Sequence, residues 1–404
     1  MNHSFFLYGR RFIAFTIFLL LVAIAFCYHV DPFSVYGRTY IKDGIAVNSP
    51  GFTGQLKMGK AIAIKQRKPE VVILGSSRSA FGFSTQSATK YFQAINIYNL
   101  SYPGINIYEN LRYLQHAVAL GPVKQVLIGL DFYQFHGGRP AERTFSEERL
   151  AVNVNNQPTG SVTKDLVSTL LSGDAVFYSI KVATGLCNWN DIYLPNGFKH
   201  QDHPGAQIQK FIGSEETYID KTYTIPKFTY TTLDKQGSTF DYFRKIVQLA
   251  HENNIDLRFF ISPSHARQWE VIGQLGLWTE WEYWKREMLR ITEQESIRHL
   301  QAALPIYDFS GYSQYSTEAV PRATDIGQSM HWYSDSSHYR QALGDIVLNN
   351  IFNGSGDDRF GLRLKTENIE QHLQSLRLER KQYQASHTQD IADIEQLIAA
   401  RKKY

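Results

Sequence analysis

Residues Glu70–Ser79 read EVVILGSSRS, a short β-branched apolar run that ends at a glycine and passes straight into serines. Apolar runs of this length, closed by a turn residue, predict a buried strand. Two more follow downstream, Ala94–Leu100 (AINIYNL) and Lys124–Leu130 (KQVLIGL). A polar helical stretch around Thr85–Phe92 separates the first two. The second and third are separated by Ile107–Leu120, with apolar residues at Leu111, Leu114, Val118 and Leu120. Strand, helix, strand, helix, strand at this spacing predicts βαβ units around a parallel sheet.

Further along, Asp256–Ile261 (DLRFFI) and Pro305–Phe309 (PIYDF) predict a fourth and a fifth strand. Helices are predicted over Phe240–His251, through a Trp- and Glu-rich region at about Arg267–Leu300, and over Tyr339–Phe352. Between about 140 and 235 the regularity fades into Asn, Gln, Gly, Thr and Pro, which predicts an insertion or cap. From Leu362 to Tyr404 there is no Pro or Gly. Leu362, Ile369, Leu376, Tyr383 and Leu397 fall on a seven-residue grid that Asp390 interrupts. A charged amphipathic helix at 360–404 is expected, either packing back on its own domain or self-associating as a coiled coil.

At the N-terminus, Arg10 and Arg11 precede an uncharged, almost wholly apolar run, Phe12–Cys27 (FIAFTIFLLLVAIAFC). No small-x-small cleavage site follows, so residues 12–28 read as an uncleaved signal anchor, against the competing reading of a cleaved signal peptide. The paired arginines place residues 1–11 in the cytoplasm. The rest of the chain is then outside a bacterial-type inner membrane. Residues 29–69 read as an irregular linker, with breakers at Asp31-Pro32 and Ser49-Pro50-Gly51. A domain over 70–354 follows.

The bulk composition is compatible with this layout. The 404 residues are 43% hydrophobic and 20% charged, enough apolar material for one large α/β core. A net charge of +4 without a basic block excludes a nucleic-acid partner of the usual electrostatic kind. Only Cys27 and Cys187 are present, which excludes a disulfide framework and a Cys-based zinc site. His200 and His203 share a polar loop without a completing ligand set, so no metal and no cofactor are expected. The first turn lacks Gly-x-Gly-x-x-Gly, so nothing supports a dinucleotide-binding reading.

Chemistry concentrates at two places. A serine starting a helix at the carboxyl edge of a parallel sheet sits where open α/β folds bind ligands. Its own N–H lacks a helical partner, so Ser77 can supply both a nucleophilic oxygen and an oxyanion donor. The plain alternative is an N-cap. Asp335-Ser336-Ser337-His338, before the last domain helix, supplies an orientable base with a carboxylate three residues upstream. Alone, it too reads as a helix cap.

Taken in this order, the blocks resemble the SGNH (GDSL-like) hydrolase superfamily. Its Gly-Asp-Ser block corresponds here to Gly75-Ser76-Ser77, its second-block glycine to Gly104, and its Asp-x-x-His to Asp335 and His338. The resemblance implies a flavodoxin-like three-layer sandwich with a central parallel sheet, a Ser77/Asp335/His338 triad, and an oxyanion hole from the N–H groups of Ser77 and Gly104. The third block departs from the family. Asp131, in Gly129-Leu130-Asp131-Phe132, stands where the family has a donating Asn. Either backbone donors suffice, or another side chain enters, or Asp131 has another role. Arg78, Asp131 and His265 are further candidates for lining the site. Trp269, Trp278, Trp281 and Trp284 form either a sugar platform or core.

The layout resembles the anchored, exported branch with alginate acetyltransferases and the D-alanyl-transfer protein of teichoic acid pathways. The expected function is serine-dependent acyl-ester chemistry on an envelope polysaccharide, using an acyl donor and a membrane acyl-exporting partner. The alternative is an inactive scaffold or carbohydrate-binding component.

Overall fold

A computed structural model describes residues 2–92, 94–159, 169–170, 172–189, 191–200, 207–224, 226–322, 324–325, 328–354 and 360–401. Six strands form one sheet: β1 (Val71–Leu74), β2 (Ile97–Asn99), β3 (Gln125–Leu130), β4 (Asp256–Ile261), β5 (Ile306–Asp308) and β6 (Leu362–Arg363). The spatial order is β2-β1-β3-β4-β5-β6. All neighbours run parallel except the β5–β6 pair. The five predicted strands are all present, trimmed by up to three residues at an end. The antiparallel sixth was not foreseen, because two residues carry no periodic signal.

Alternation along each strand sends side chains to opposite faces of the sheet. Val72 and Leu74 join one cluster, with α2 (Leu56–Arg67), α5 (Ile107–Leu120), α8 (Thr239–Glu252) and α10 (Trp278–His299). Val71 and Ile73 join the other, with α4 (Thr85–Phe92) and α11 (Gln341–Asn353). The chain leaves β1 toward one face and β2 toward the other. The helix between β3 and β4, α8, lies opposite α4, so the switch point of this strand order is at the carboxyl ends of β1 and β3, where a crevice opens.

Several local expectations change. The segment 29–69 is not an irregular linker throughout. It holds α2, whose Lys60, Ala61, Ile62 and Ile64 are buried. The Trp-rich region is two helices, α9 (Ala266–Gln274) and α10, broken where Gly276 takes a φ of +75°. Trp269, Trp281 and Trp284 are core residues, not a platform. The insertion is partly regular, with α6 (Gly173–Ala183), a small hairpin at 192–200, and α7 (Gln207–Tyr218).

The tail is a helical hairpin, α12 (Ile369–Ser386) and α13 (Thr388–Arg401), folded back on the domain. Leu373, Leu376, Ile394 and Ile398 are buried in the main core, and Asp390 pairs with Arg267 at 2.8 Å. The residue that spoils the heptad therefore closes a buried ion pair. At the other end, α1 spans Asn2–Val30. Its segment Phe6–Val30 is long and apolar enough to cross a membrane.

Candidate active site

β1 delivers Gly75 with a φ of +137°. A Cβ there would lie 2.4 Å from Ser79 Oγ and 3.0 Å from the Gly129 carbonyl oxygen, so only glycine permits this turn. The turn leads into a short helix, α3 (Ser77–Gly82), capped by Ser76, whose Oγ accepts from the Arg78 N–H at 3.1 Å. Ser76 is the cap and Ser77 is the first helical residue, so the Ser77 N–H is left over from the helix ladder.

Facing it is the loop before α11. The Ser77 Oγ lies 2.7 Å from His338 Nε2, and His338 Nδ1 lies 2.7 Å from Asp335 Oδ2. A carboxylate only accepts, so Nδ1 carries the ring proton, and Nε2 is left to accept from the Ser77 hydroxyl. The other Asp335 oxygen accepts the N–H groups of Ser337 and His338 at 2.8 and 3.0 Å and the Ser337 hydroxyl at 3.0 Å. Burial opposes the Asp335 charge. The imidazole and these donors outweigh it, and the carboxyl is held down to about 2. Phe81 meets the His338 ring edge-on at 5.1 Å between centroids.

Ser77, Asp335 and His338 open on a cavity of about 680 Å³ that Gly104 also lines. Gly104 has a φ of +70°, and a Cβ there would lie 2.7 Å from Glu142 Oε1. Its loop is pinned by Lys60, whose Nζ donates to the carbonyls of Asn99, Ser101 and Gly197 at 2.7–2.9 Å. The Asn99 amide ties β2 back to α3 through the Ser79 and Phe83 carbonyls, both at 3.0 Å.

Three further candidates lie elsewhere. Arg78 and Asp131 are buried beneath the nucleophile, paired at 2.7 Å, and neither lines the cavity. Asp131 also accepts from the Ser76 hydroxyl. Its role is therefore to hold the helix cap and the Arg78 guanidinium, whose other arm donates to Tyr218 Oη at 3.0 Å. His265 does not reach the cavity. It is buried, caps α9 at 3.3 Å, and lies 2.8 Å from the Glu318 carbonyl oxygen. Burial pushes its pKa down to about 4.

No protein-family model matches the chain, and no curated protein matches it.

The remaining walls come from residues that sequence reasoning missed: Tyr133, Arg139 and Glu142 after β3, and Lys210, Ser214 and Tyr218 on α7. No periodic or motif signal marks them, because the insertion brings them to the crevice only through tertiary packing. Of the two histidines weighed as metal ligands and set aside, His200 sits in the small hairpin, and His203 lies outside the described residues. Among the described residues, no group of three or more His, Cys, Asp or Glu could hold a metal ion.

Proposed function

We propose that this chain is an SGNH-like serine enzyme that transfers or hydrolyses an O-acyl group, most simply O-acetyl, on a cell-envelope polysaccharide. The observation that carries this is the continuous Ser77–His338–Asp335 relay, with both links at 2.7 Å, opening on a cavity of a size that suits small-molecule sites.

In this reading His338 Nε2 takes the Ser77 hydroxyl proton as Oγ attacks the acyl carbonyl carbon. The carbonyl π pair moves onto oxygen, facing the N–H groups of Ser77 and Gly104. Each such donor is worth about 10²–10³ in rate. Collapse re-forms the carbonyl and breaks the bond to the donor oxygen, which leaves with the proton from His338. Acyl-Ser77 remains. A sugar hydroxyl or water then gives its proton to His338 and attacks, and Ser77 recovers its proton. The cations Arg139, Lys210 and Lys221 and the rings of Tyr133 and Tyr218 along the walls suit a polar, polyhydroxylated acceptor. The apolar α1 supports a site held at an inner membrane, with the domain outside, near an acyl-exporting partner.

The test is p-nitrophenyl acetate hydrolysis by the full chain in detergent micelles, beside Ser77→Ala and His338→Ala. Wild type is expected to turn over, and each variant to lose at least about 10³-fold. A fluorophosphonate probe is expected to label Ser77 only in the wild type. If all three proteins are equally inert and unlabelled, the domain is an inactive scaffold or carbohydrate-binding component.

A further inference from the structure

We infer that helix α6 lies in the membrane interface beside α1, with Phe177 and Ile180 facing lipid acyl chains. The inference goes beyond the ester chemistry and rests on α1 crossing the bilayer.

The side chains of α6 are apolar on its covered side and on its outward side alike. Ala175 and Ser179, one turn apart, are its buried residues, and Ala175 packs in a cluster with Cys27 of α1. Phe177 and Ile180, three apart on the outward face, are 56% and 49% exposed. A helix on a solvated surface buries its large apolar residues and shows its polar ones. Val176 and Tyr178 already pack against that cluster, so Phe177 and Ile180 form a second apolar face without protein cover, the pattern of a helix whose other neighbour is lipid.

The depth agrees. The apolar run Phe12–Cys27 is 16 residues. At about 1.5 Å per residue it covers roughly 24 Å of an approximately 30 Å hydrocarbon core. Arg10 and Arg11 close the inner end and the helix runs on through Tyr28–Val30, so the outer boundary of the hydrocarbon falls at its last turn. Along α1, Phe12 to Val22 stand exposed, whereas Cys27 and Val30 are covered by the domain. The domain thus contacts α1 where the apolar run stops short, and α6 is the helix packed there.

The flanks carry interfacial chemistry. Leu186, just past α6, is 72% exposed. Lys181 Nζ sits over the Phe177 ring, 5.1 Å from its centre, on a side chain long enough to carry its charge to the headgroups. Tyr28 is exposed on α1, and Trp189 packs on Tyr40, the residue whose hydroxyl bonds the Val30 carbonyl. Trp and Tyr at the exit of a spanning helix belong at headgroup level.

The test uses the full chain with Cys27→Ala and Cys187→Ser, reconstituted in phosphatidylethanolamine/phosphatidylglycerol vesicles. A single nitroxide is placed through Phe177→Cys or Ile180→Cys, with Leu20→Cys and Leu300→Cys as references. Relaxation by oxygen and by a water-soluble nickel chelate reports depth. The expected oxygen-to-nickel ratio at 177 and 180 is several-fold above that at 300 and approaches that at 20. Equality with 300 overturns the proposal. So does shelter from both reagents, which would mark a protein contact instead. A water-exposed label at 20 removes the membrane premise itself, while hydrolysis of p-nitrophenyl acetate still reports separately on the triad. If the cysteine variants do not fold, the quenching of Phe177→Trp by brominated acyl chains beyond that of wild type gives the same readout, and no gain over wild type overturns the proposal.

Discussion

Arg78 is enclosed by Asp131, Tyr133 and Tyr218, with the two rings 5.6 and 5.3 Å from the guanidinium carbon. Burial opposes its charge, but Asp131 outweighs burial and pushes its pKa further up. Replacing Asp131 by Asn, the residue at this place in the SGNH pattern, is therefore expected to harm the protein. Asp131→Asn leaves a buried cation without its counter-charge, which costs about 3 kcal/mol. Urea unfolding measures this, and unchanged stability with raised esterase activity would show that Asp131 is only a degraded oxyanion donor. Asp335→Asn is expected to keep the geometry and lose about 10³–10⁴ in kcat, because the wrong His338 tautomer then faces Ser77. The folded pKa of Asp335, about 2, lies below its ordinary 3.8. Its ionised form therefore contributes stability above pH 4, on the order of 2 kcal/mol, lost as pH falls from about 4 to 2. Acid titration of wild type against Asp335→Asn should show that limb only in wild type. Ser77, Gly104, Asp335 and His338 were legible because the chemistry constrains residue type and chain position together. The roles of Arg78 and His265 were not, because each depends on what the fold packs around the side chain.

Helix α7 walls the cavity and runs into a π-turn at Ile219–Tyr223, a local widening common at functional sites. Its Glu215 is fully buried and bonded by Arg267 at 2.7 and 2.8 Å, and Arg267 also holds Asp390 of the tail. Arg267→Met leaves Glu215 buried without its cation, while Asp390 keeps Arg322 at 2.6 Å, at a cost of about 3–5 kcal/mol. Where the variant folds, KM for a polysaccharide acceptor should rise more than KM for p-nitrophenyl acetate. An equal effect on both would deny α7 a part in acceptor binding. Helices α5, α8 and α11 were readable from their apolar spacing, as were the five parallel strands. The break at Gly276 and the turn at His387 were not. One glycine, or one residue in a polar run, does not interrupt a periodic pattern.

For the whole molecule, both chain ends are structural. The end of α1 covers Phe33, Met58, Ile62 and Ala175. A chain beginning at Asp31 should keep its triad and its esterase activity but associate in solution, as light scattering would detect. A clean monomer would mean that the domain buries this face without α1. The tail hairpin buries Ile369, Leu373, Leu376, Tyr383, Ile394 and Ile398 against its own chain. Most of its apolar grid thus packs within its own chain.

From residue order alone followed the apolar N-terminal helix, the parallel sheet and the four residues that meet at its edge. Each depends on local periodicity or on a short motif next to a strand, and such information is contiguous in the chain. Tertiary structure alone decided the walls of the cavity, the buried Arg78–Asp131 pair, the return of the tail onto the domain and the outward-facing phenylalanine of α6. These depend on pairs of residues 50 to more than 100 positions apart, such as Arg78 with Asp131 and Arg267 with Asp390. Their energies come from burial and from charges brought together on folding, and nothing in the local pattern encodes them.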